Sequence, residues 1–118
     1  MPDNTPNLIR RPEWQALARL QQDMADTHLR DLFAGDPGRA QRYLVEAAGL
    51  TLDFSRNRLT DEVLHALTDL GRACGLEQKI TALLQGDTVN LTENRPALHT
   101  ALRQPAGTDV RVNGRDVV

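Results

Sequence analysis

The sequence predicts a mainly helical chain with a small β-hairpin, an α+β arrangement, on three observations. Leucine occurs 18 times against nine valines and isoleucines together, a balance that favours helix over sheet. Apolar residues recur at helical spacing in several segments that carry their own start and stop residues. A central stretch instead shows a period of two, the pattern of a strand pair.

The elements follow in chain order. Residues 1–11 hold Pro2, Asp3, Asn4, Pro6 and Asn7 and read as a flexible arm. Pro12 suits the first helical position, where its missing N–H is not needed. Trp14, Leu17, Leu20 and Met24 then mark an amphipathic helix from Pro12 to about Ala25. A short helical turn is expected around Leu29, Leu32 and Phe33. Asp36-Pro37 reads as an N-cap with proline at N1, opening another short turn through Arg42. Tyr43–Ala47 and Leu50–Phe54 flank Ala48-Gly49, and Leu50, Leu52 and Phe54 alternate with Thr51 and Asp53, which predicts the hairpin.

Leu59 to Gly75 has the fullest helix grammar. Thr60 is a good N-cap, Asp61 and Glu62 complement the positive end of the helix dipole, and Leu59 and Leu64 occupy hydrophobic-staple positions. Val63, Leu64, Leu67, Leu70 and Cys74 form the expected buried stripe, and Gly75 is a left-handed stop. Leu76, Ile80, Leu83 and Leu84 make a second helix ending at Gly86. A third is expected from about Arg95 to Arg103, with Ala97, Leu98, Ala101 and Leu102 inward and Pro96 tolerated in its first turn. Asn113-Gly114 between short β-like runs is a hairpin-turn signal. The chain then stops at Val118 on an apolar residue, which suggests truncation.

Composition narrows the function. The 118 residues and 13.1 kDa fit one modest domain or a piece of a larger protein. A net charge of −2 and a pI of about 5.9 supply no global basic field for nucleic acid or an anionic membrane. The single cysteine, Cys74, cannot make an internal disulfide, and no apolar run has signal-peptide or membrane-spanning length. A soluble, cytoplasmic chain is the expectation.

No catalytic constellation emerges from the residues themselves. His28, His65 and His99 are too scattered for a metal cluster. Glu62 and His65 have the Glu-x-x-His spacing of di-metal bundles, but the second such pair and the two further glutamates are missing from the pattern. They read as solvated first-turn residues. In the loop Asp53-Phe54-Ser55-Arg56-Asn57-Arg58, two arginines and a serine could hold an anion, or could pair with Asp53, Asp61 or Glu62 to fix the turn. The structural pairing is the stronger reading. Arg95, His99 and Arg103 would line one face of the third helix beside Thr92-Glu93, as a basic grip or as a solvated face. Cys74 lies in an apolar stripe with no base near it in sequence, as a core thiol does.

Residues 60–86 also resemble a helix-turn-helix, with small residues Gly71 and Gly75 near its turn. From Thr60 to Asp87, however, Asp61, Glu62, Asp69, Glu77 and Asp87 outweigh Arg72 and Lys79, the wrong sign for a DNA reader. A stand-alone helical interaction module without catalysis is the alternative that this pair supports.

The order of the segments is more informative than any one of them. LTLDFSRNRL (Leu50–Leu59) resembles the D-[FY]-S-[KR]-N segment of phosphoglucose isomerases. HLRDLFAGDPGRAQRYLVEAAG (His28–Gly49) is similar to the same family's LR-x-LF-x-D-P-x-R region, and TENRPALHTALR (Thr92–Arg103) to its TE-x-R-x-x-LH-x-ALR segment. All three stand in family order, and the likeness runs from about Pro12 to Val118, with Pro96 where many members have alanine.

The resemblance implies the N-terminal part of a larger α/β sugar-isomerase (SIS-type) fold, with residues 12–118 as one helical segment cut at Val118. It implies reversible conversion of glucose 6-phosphate to fructose 6-phosphate in glycolysis and gluconeogenesis, as a cytoplasmic homodimer without a cofactor. In the family a histidine and a lysine assist ring opening and a glutamate moves a proton through an enediolate, while serines and threonines hold the phosphate. Those motifs come later in the family chain. His28, His65, His99, Glu62 and Glu93 therefore inherit no catalytic role, and no catalytic, substrate-binding or metal residue is expected here. The family continues through DVV (residues 116–118) into another helix.

Overall fold

Residues 7–118 are described by a computed structural model, in two units, the first running to Leu70 and the second from Gly71 to Val118. Most of the expected arm lies outside the described residues. Its last part is ordered: Leu8–Arg10 form a 3-10 turn capped by the Asn7 side chain, which accepts from the Ile9 N–H at 3.4 Å.

The first unit is built around short helices and one hairpin. α1 spans Pro12–Asp23 with Pro12 at its start and Glu13 in the first turn. α2 follows at Leu29–Gly35. α3 is a single turn, Arg39–Arg42, and it begins later than the Asp36-Pro37 pair predicts, with Gly38 as its N-cap. The reason is local. Asp36 spends both its oxygen types on a preceding turn, its carboxylate accepting from the Gly38 N–H at 3.2 Å and its carbonyl from the Arg39 N–H at 3.1 Å.

β1 (Leu44–Ala47) pairs antiparallel with β2 (Leu50–Asp53), in the register Val45 opposite Leu52 and Ala47 opposite Leu50. Ala48 (φ 52°) and Gly49 (φ 74°) make the turn, both left-handed as a two-residue hairpin requires. The Phe54 N–H donates to the Tyr43 carbonyl at 3.0 Å, adding a further rung to the ladder.

α4 (Asp61–Ala73) starts as its sequence grammar predicts: Thr60 Oγ1 accepts from the Val63 N–H at 3.2 Å. Its apolar stripe is less covered than expected. Val63, Leu64, Leu70 and Cys74 are half-buried and Leu67 is 45% exposed.

In the second unit, Gly75 is left-handed (φ 67°) and α5 runs Leu76–Gln85, closed by left-handed Gly86 (φ 80°). A Cβ at Gly86 would lie 3.3 Å from the Arg111 carbonyl and from Val110 and Val112, so this glycine serves both the helix end and the close approach of the C-terminal hairpin. Leu76, Ile80 and Leu84 on α5 are about half exposed.

The expected third helix does not form. Asn90 and Arg95 exchange two backbone hydrogen bonds (3.2 and 3.1 Å) around a turn at residues 91–94, with Asn94 left-handed at φ 52°. Pro96 disfavours the helical conformation at Arg95, whose backbone is instead taken up by the pairing with Asn90. Only Ala101–Arg103 coil, as a 3-10 turn. Ala101 is buried as expected, but Leu102 is 86% exposed, opposite to its expected inward face.

Finally, β3 (Arg111–Val112) and β4 (Arg115–Asp116) form a second antiparallel hairpin through left-handed Asn113 (φ 51°) and Gly114 (φ 77°). The Val117 N–H donates to the Val110 carbonyl at 3.0 Å and lengthens it.

Candidate functional site

The most developed polar assembly of the first unit centres on Arg39, which is 2% exposed. α3 aims its guanidinium at the loop after β2. Nε donates to the Ser55 carbonyl and Nη2 to the Asn57 carbonyl, each at 2.8 Å. The group also lies 4.6 Å from the centroid of the Tyr43 ring and 5.5 Å from that of Phe33. Carbonyl dipoles and ring faces thus solvate a buried positive charge.

Ser55, equally buried, donates from its N–H (2.9 Å) and hydroxyl (2.6 Å) to Asp53 Oδ1. Those two bonds, helped by the charge of nearby Arg56, hold the Asp53 carboxyl below its ordinary range.

A second layer of charge surrounds this loop. Arg42 forks onto Asp61 (Nη1 to Oδ2 3.0 Å, Nη2 to Oδ1 3.1 Å) and reaches Asp36 Oδ2 with Nε at 2.9 Å. Tyr43 Oη donates to Asp61 Oδ1 at 2.7 Å. The Arg42 fork and then the tyrosine hydroxyl hold Asp61 below its ordinary carboxylate range. Tyr43 is raised, first by burial and then by its bond to Asp61. Asp61 therefore ties the first residue of α4 to α3 and to the hairpin's entry.

The loop arginines make none of the acid pairs expected of them. Arg58 Nη2 donates to the Met24 carbonyl and, at 3.1 Å, to that of Ala25, so it grips the end of α1. It pairs with backbone oxygens here, and not with the acids named as its alternatives. Arg56 stays exposed. Sequence reasoning gave no role to Arg39 or Arg42, although both fall in the segment that carries the family likeness. Their signal is the run Arg39-x-x-Arg42-Tyr43, two guanidinium groups flanking one aromatic ring.

The remaining candidates are dispersed. Glu62 and His65 share the first turns of α4, both exposed, and His28 and His99 are exposed elsewhere. Among the described residues no group of three or more His, Cys, Asp or Glu could hold a metal ion. Arg95, His99 and Arg103 line no helical face, because the helix is absent; Arg103 reaches back to the His99 carbonyl at 3.5 Å. Cys74 is half-buried near the end of α4. No described helix is long and apolar enough to cross a membrane.

Between α1 and α4 lies an open apolar groove of about 730 Å³, walled by Trp14, Leu17 and Met24 on one side and Val63, Leu67 and Leu70 on the other. Arg58 stands at its edge. The assembly is a folding frame beside an uncovered apolar surface.

The phosphoglucose isomerase family model matches residues 53–118. Relatives named glucose-6-phosphate isomerase from Nitrosospira multiformis and Deinococcus deserti are each 50% identical over 111 residues, 94% of this chain and 20% of theirs. One from Anaeromyxobacter dehalogenans is 46% identical over all 118 residues, 22% of its own length. The chain belongs to the phosphoglucose isomerase family, and it spans about a fifth of the length of the curated relatives it matches.

Proposed function

We propose that these residues form the N-terminal scaffold of a glucose-6-phosphate isomerase, the enzyme that interconverts glucose 6-phosphate and fructose 6-phosphate. One observation carries this reading: the chain is half identical, over nearly all its length, to relatives that bear that name. The described side chains fit a scaffold. Moving a proton between adjacent carbons needs a positioned base, an acid for ring opening and a grip on the phosphate within one site. Here the polar groups that do converge, Arg39, Arg42, Asp53, Ser55 and Asp61, are spent on one another and on backbone carbonyls. The reacting groups, by family resemblance a histidine, a lysine and a glutamate, then come from sequence outside these 118 residues.

The same reading places the whole protein in the cytoplasm as a cofactor-free homodimer of SIS-type fold, acting on a sugar phosphate and on neither nucleic acid nor membrane. The test is a coupled fructose 6-phosphate assay. Residues 1–118 alone turn over no glucose 6-phosphate, whereas the same residues joined to the remaining four-fifths of the Nitrosospira multiformis relative do. Turnover by the 118 residues alone, lost on substituting His99 or Glu93, would overturn the assignment of the chemistry to later sequence.

A further inference from the structure

Asn113 and Gly114 form the two-residue turn between β3 and β4, both left-handed (φ 51° and 77°) and both exposed. Asn113 is the one asparagine of the 118 residues that is followed by glycine. That neighbour decides how durable the side-chain amide is. A backbone nitrogen that reaches the Cγ of the preceding asparagine displaces ammonia from it, and a successor without a Cβ leaves the approach open. A side chain added at Gly114 would meet nothing within 4 Å, so the tip of the turn stands clear of the rest of the described chain.

Asn94 supplies the contrast. It is exposed and left-handed too, at φ 52°, but the next residue is Arg95, whose N–H donates to the Asn90 carbonyl at 3.1 Å. The two asparagines share a backbone conformation and differ at the nitrogen that would attack them.

We propose that Asn113 is a self-modification site, where the Gly114 nitrogen closes on the side-chain amide when the hairpin opens and converts the asparagine to aspartate and isoaspartate. The step balances with water as the only co-reactant. A bond forms between the Gly114 nitrogen and Asn113 Cγ, the Cγ–Nδ2 bond breaks, and the amide leaves as ammonia with the proton that the Gly114 nitrogen gives up. Water then opens the five-membered imide. Attack at Cγ leaves an ordinary aspartate, whereas attack at the original backbone carbonyl reroutes the chain through the side chain as isoaspartate.

The hairpin controls the rate. A left-handed residue has ψ of about +47°, which holds the following nitrogen anti to its Cβ and out of reach of Cγ. The turn must open first, and little holds it shut: Arg111 paired with Asp116, Val112 with Arg115, and the bond from the Val117 N–H to the Val110 carbonyl. The two products then part. Aspartate before glycine suits the same turn, but isoaspartate adds a backbone methylene to a loop whose two-residue geometry sets the strand register. The isoaspartyl hairpin cannot reclose in register, and Val110, Arg111 and Val112 lose their fixed approach to Gly86 at the end of α5.

The test ages these residues, joined to the remaining four-fifths of the Nitrosospira multiformis relative, in mildly alkaline buffer, both folded and in guanidinium. The samples are then digested with an endoprotease that cuts before aspartate. The peptide Asp109–Arg115 carries Asn113, and the peptide Asp87–Thr108 carries Asn94. An aspartate formed at position 113 creates a new cut, while isoaspartate leaves the peptide whole with the mass of the acid. In the folded chain, conversion at Asn113 is expected to exceed that at Asn94 about tenfold or more, with isoaspartate among the products. Guanidinium should speed it further, because the turn no longer holds the nitrogen away. Conversion at Asn113 no faster than at Asn94 would overturn the proposal. So would a product that is aspartate alone, since direct hydrolysis forms no imide, or a rate at Asn113 that guanidinium leaves unchanged.

Discussion

Residues 53–73 and residues 90–103 start from similar material and end differently. Each has a polar loop, a threonine followed by an acid, and apolar residues at helical spacing behind it. The first becomes α4, and the second becomes a turn and a 3-10 fragment. Around α4 the loop is held from outside itself: Arg39 fixes the Ser55 and Asn57 carbonyls, Arg58 grips the end of α1, and Asp61 is tied to Arg42 and Tyr43. The Thr60 cap therefore works on a chain already aimed into a helix. In the second region the polar groups bond within the loop, Asn90 Oδ1 accepting from the Glu93 N–H at 3.2 Å, and Pro96 disfavours the helical conformation at Arg95. Periodicity names the face a helix would have; anchored ends decide whether it forms.

The comparison breaks most visibly at Arg39. Arg39→Met keeps much of the stem but leaves the Ser55 and Asn57 carbonyls without their charged donor. It is expected to cost about 3 kcal/mol in urea unfolding. A loss below about 1 kcal/mol would show that the loop is fixed by something else. In the second region, Asn94→Val puts a β-branched residue at φ 52° and should cost about 1 to 2 kcal/mol, read the same way. An unchanged midpoint there would mean that the 91–94 turn is not what replaces the helix. Thr60→Ala removes the cap and should cost about 1 kcal/mol, with the far-UV helical signal falling in step.

The smallest expected effect is a pH dependence. Asp53 and Asp61 are held below the ordinary 3.8 in the folded chain, by Ser55 in one case and by Arg42 and Tyr43 in the other. A depressed folded value means the contribution is fully present above the unfolded pKa and is lost as the pH falls below it toward the folded value. Both groups are exposed, so the loss is modest. Stability in 0.1 M salt should decline below about pH 4, and Asp61→Asn should flatten part of that decline. A steeper decline in the Asp61→Asn chain would contradict the assignment.

What the sequence made legible follows from the same distinction. The first hairpin is legible in the alternation of Leu50, Leu52 and Phe54 after Ala48-Gly49, whereas at Asn113-Gly114 the turn signal competed with the helix that the family resemblance implies after residues 116–118. The α5 end was readable from Gly86, and the α4 start from Thr60. The helix expected at Arg95–Arg103 is absent because Arg95 pairs back to Asn90 across a turn, a competitor that apolar spacing does not reveal. The frame around Arg39 was not legible, since nothing local shows that an arginine one turn before a strand will be buried under a loop 16 residues on. Nor did the α4 stripe reveal that Leu67 would stay open: periodicity finds an apolar face but not the element that covers it.

The most direct measurement is residue-resolved hydrogen exchange on the 118-residue chain. Amides of residues 65–73 donate within α4 and should be protected as one block, while Ala97, Leu98 and His99 should exchange at nearly unprotected rates. Arg39→Met should abolish the first block without creating a second. Matching protection across residues 95–103, or an α4 block that survives Arg39→Met, would contradict the claim that anchored ends, and not apolar spacing, determine where this chain is helical.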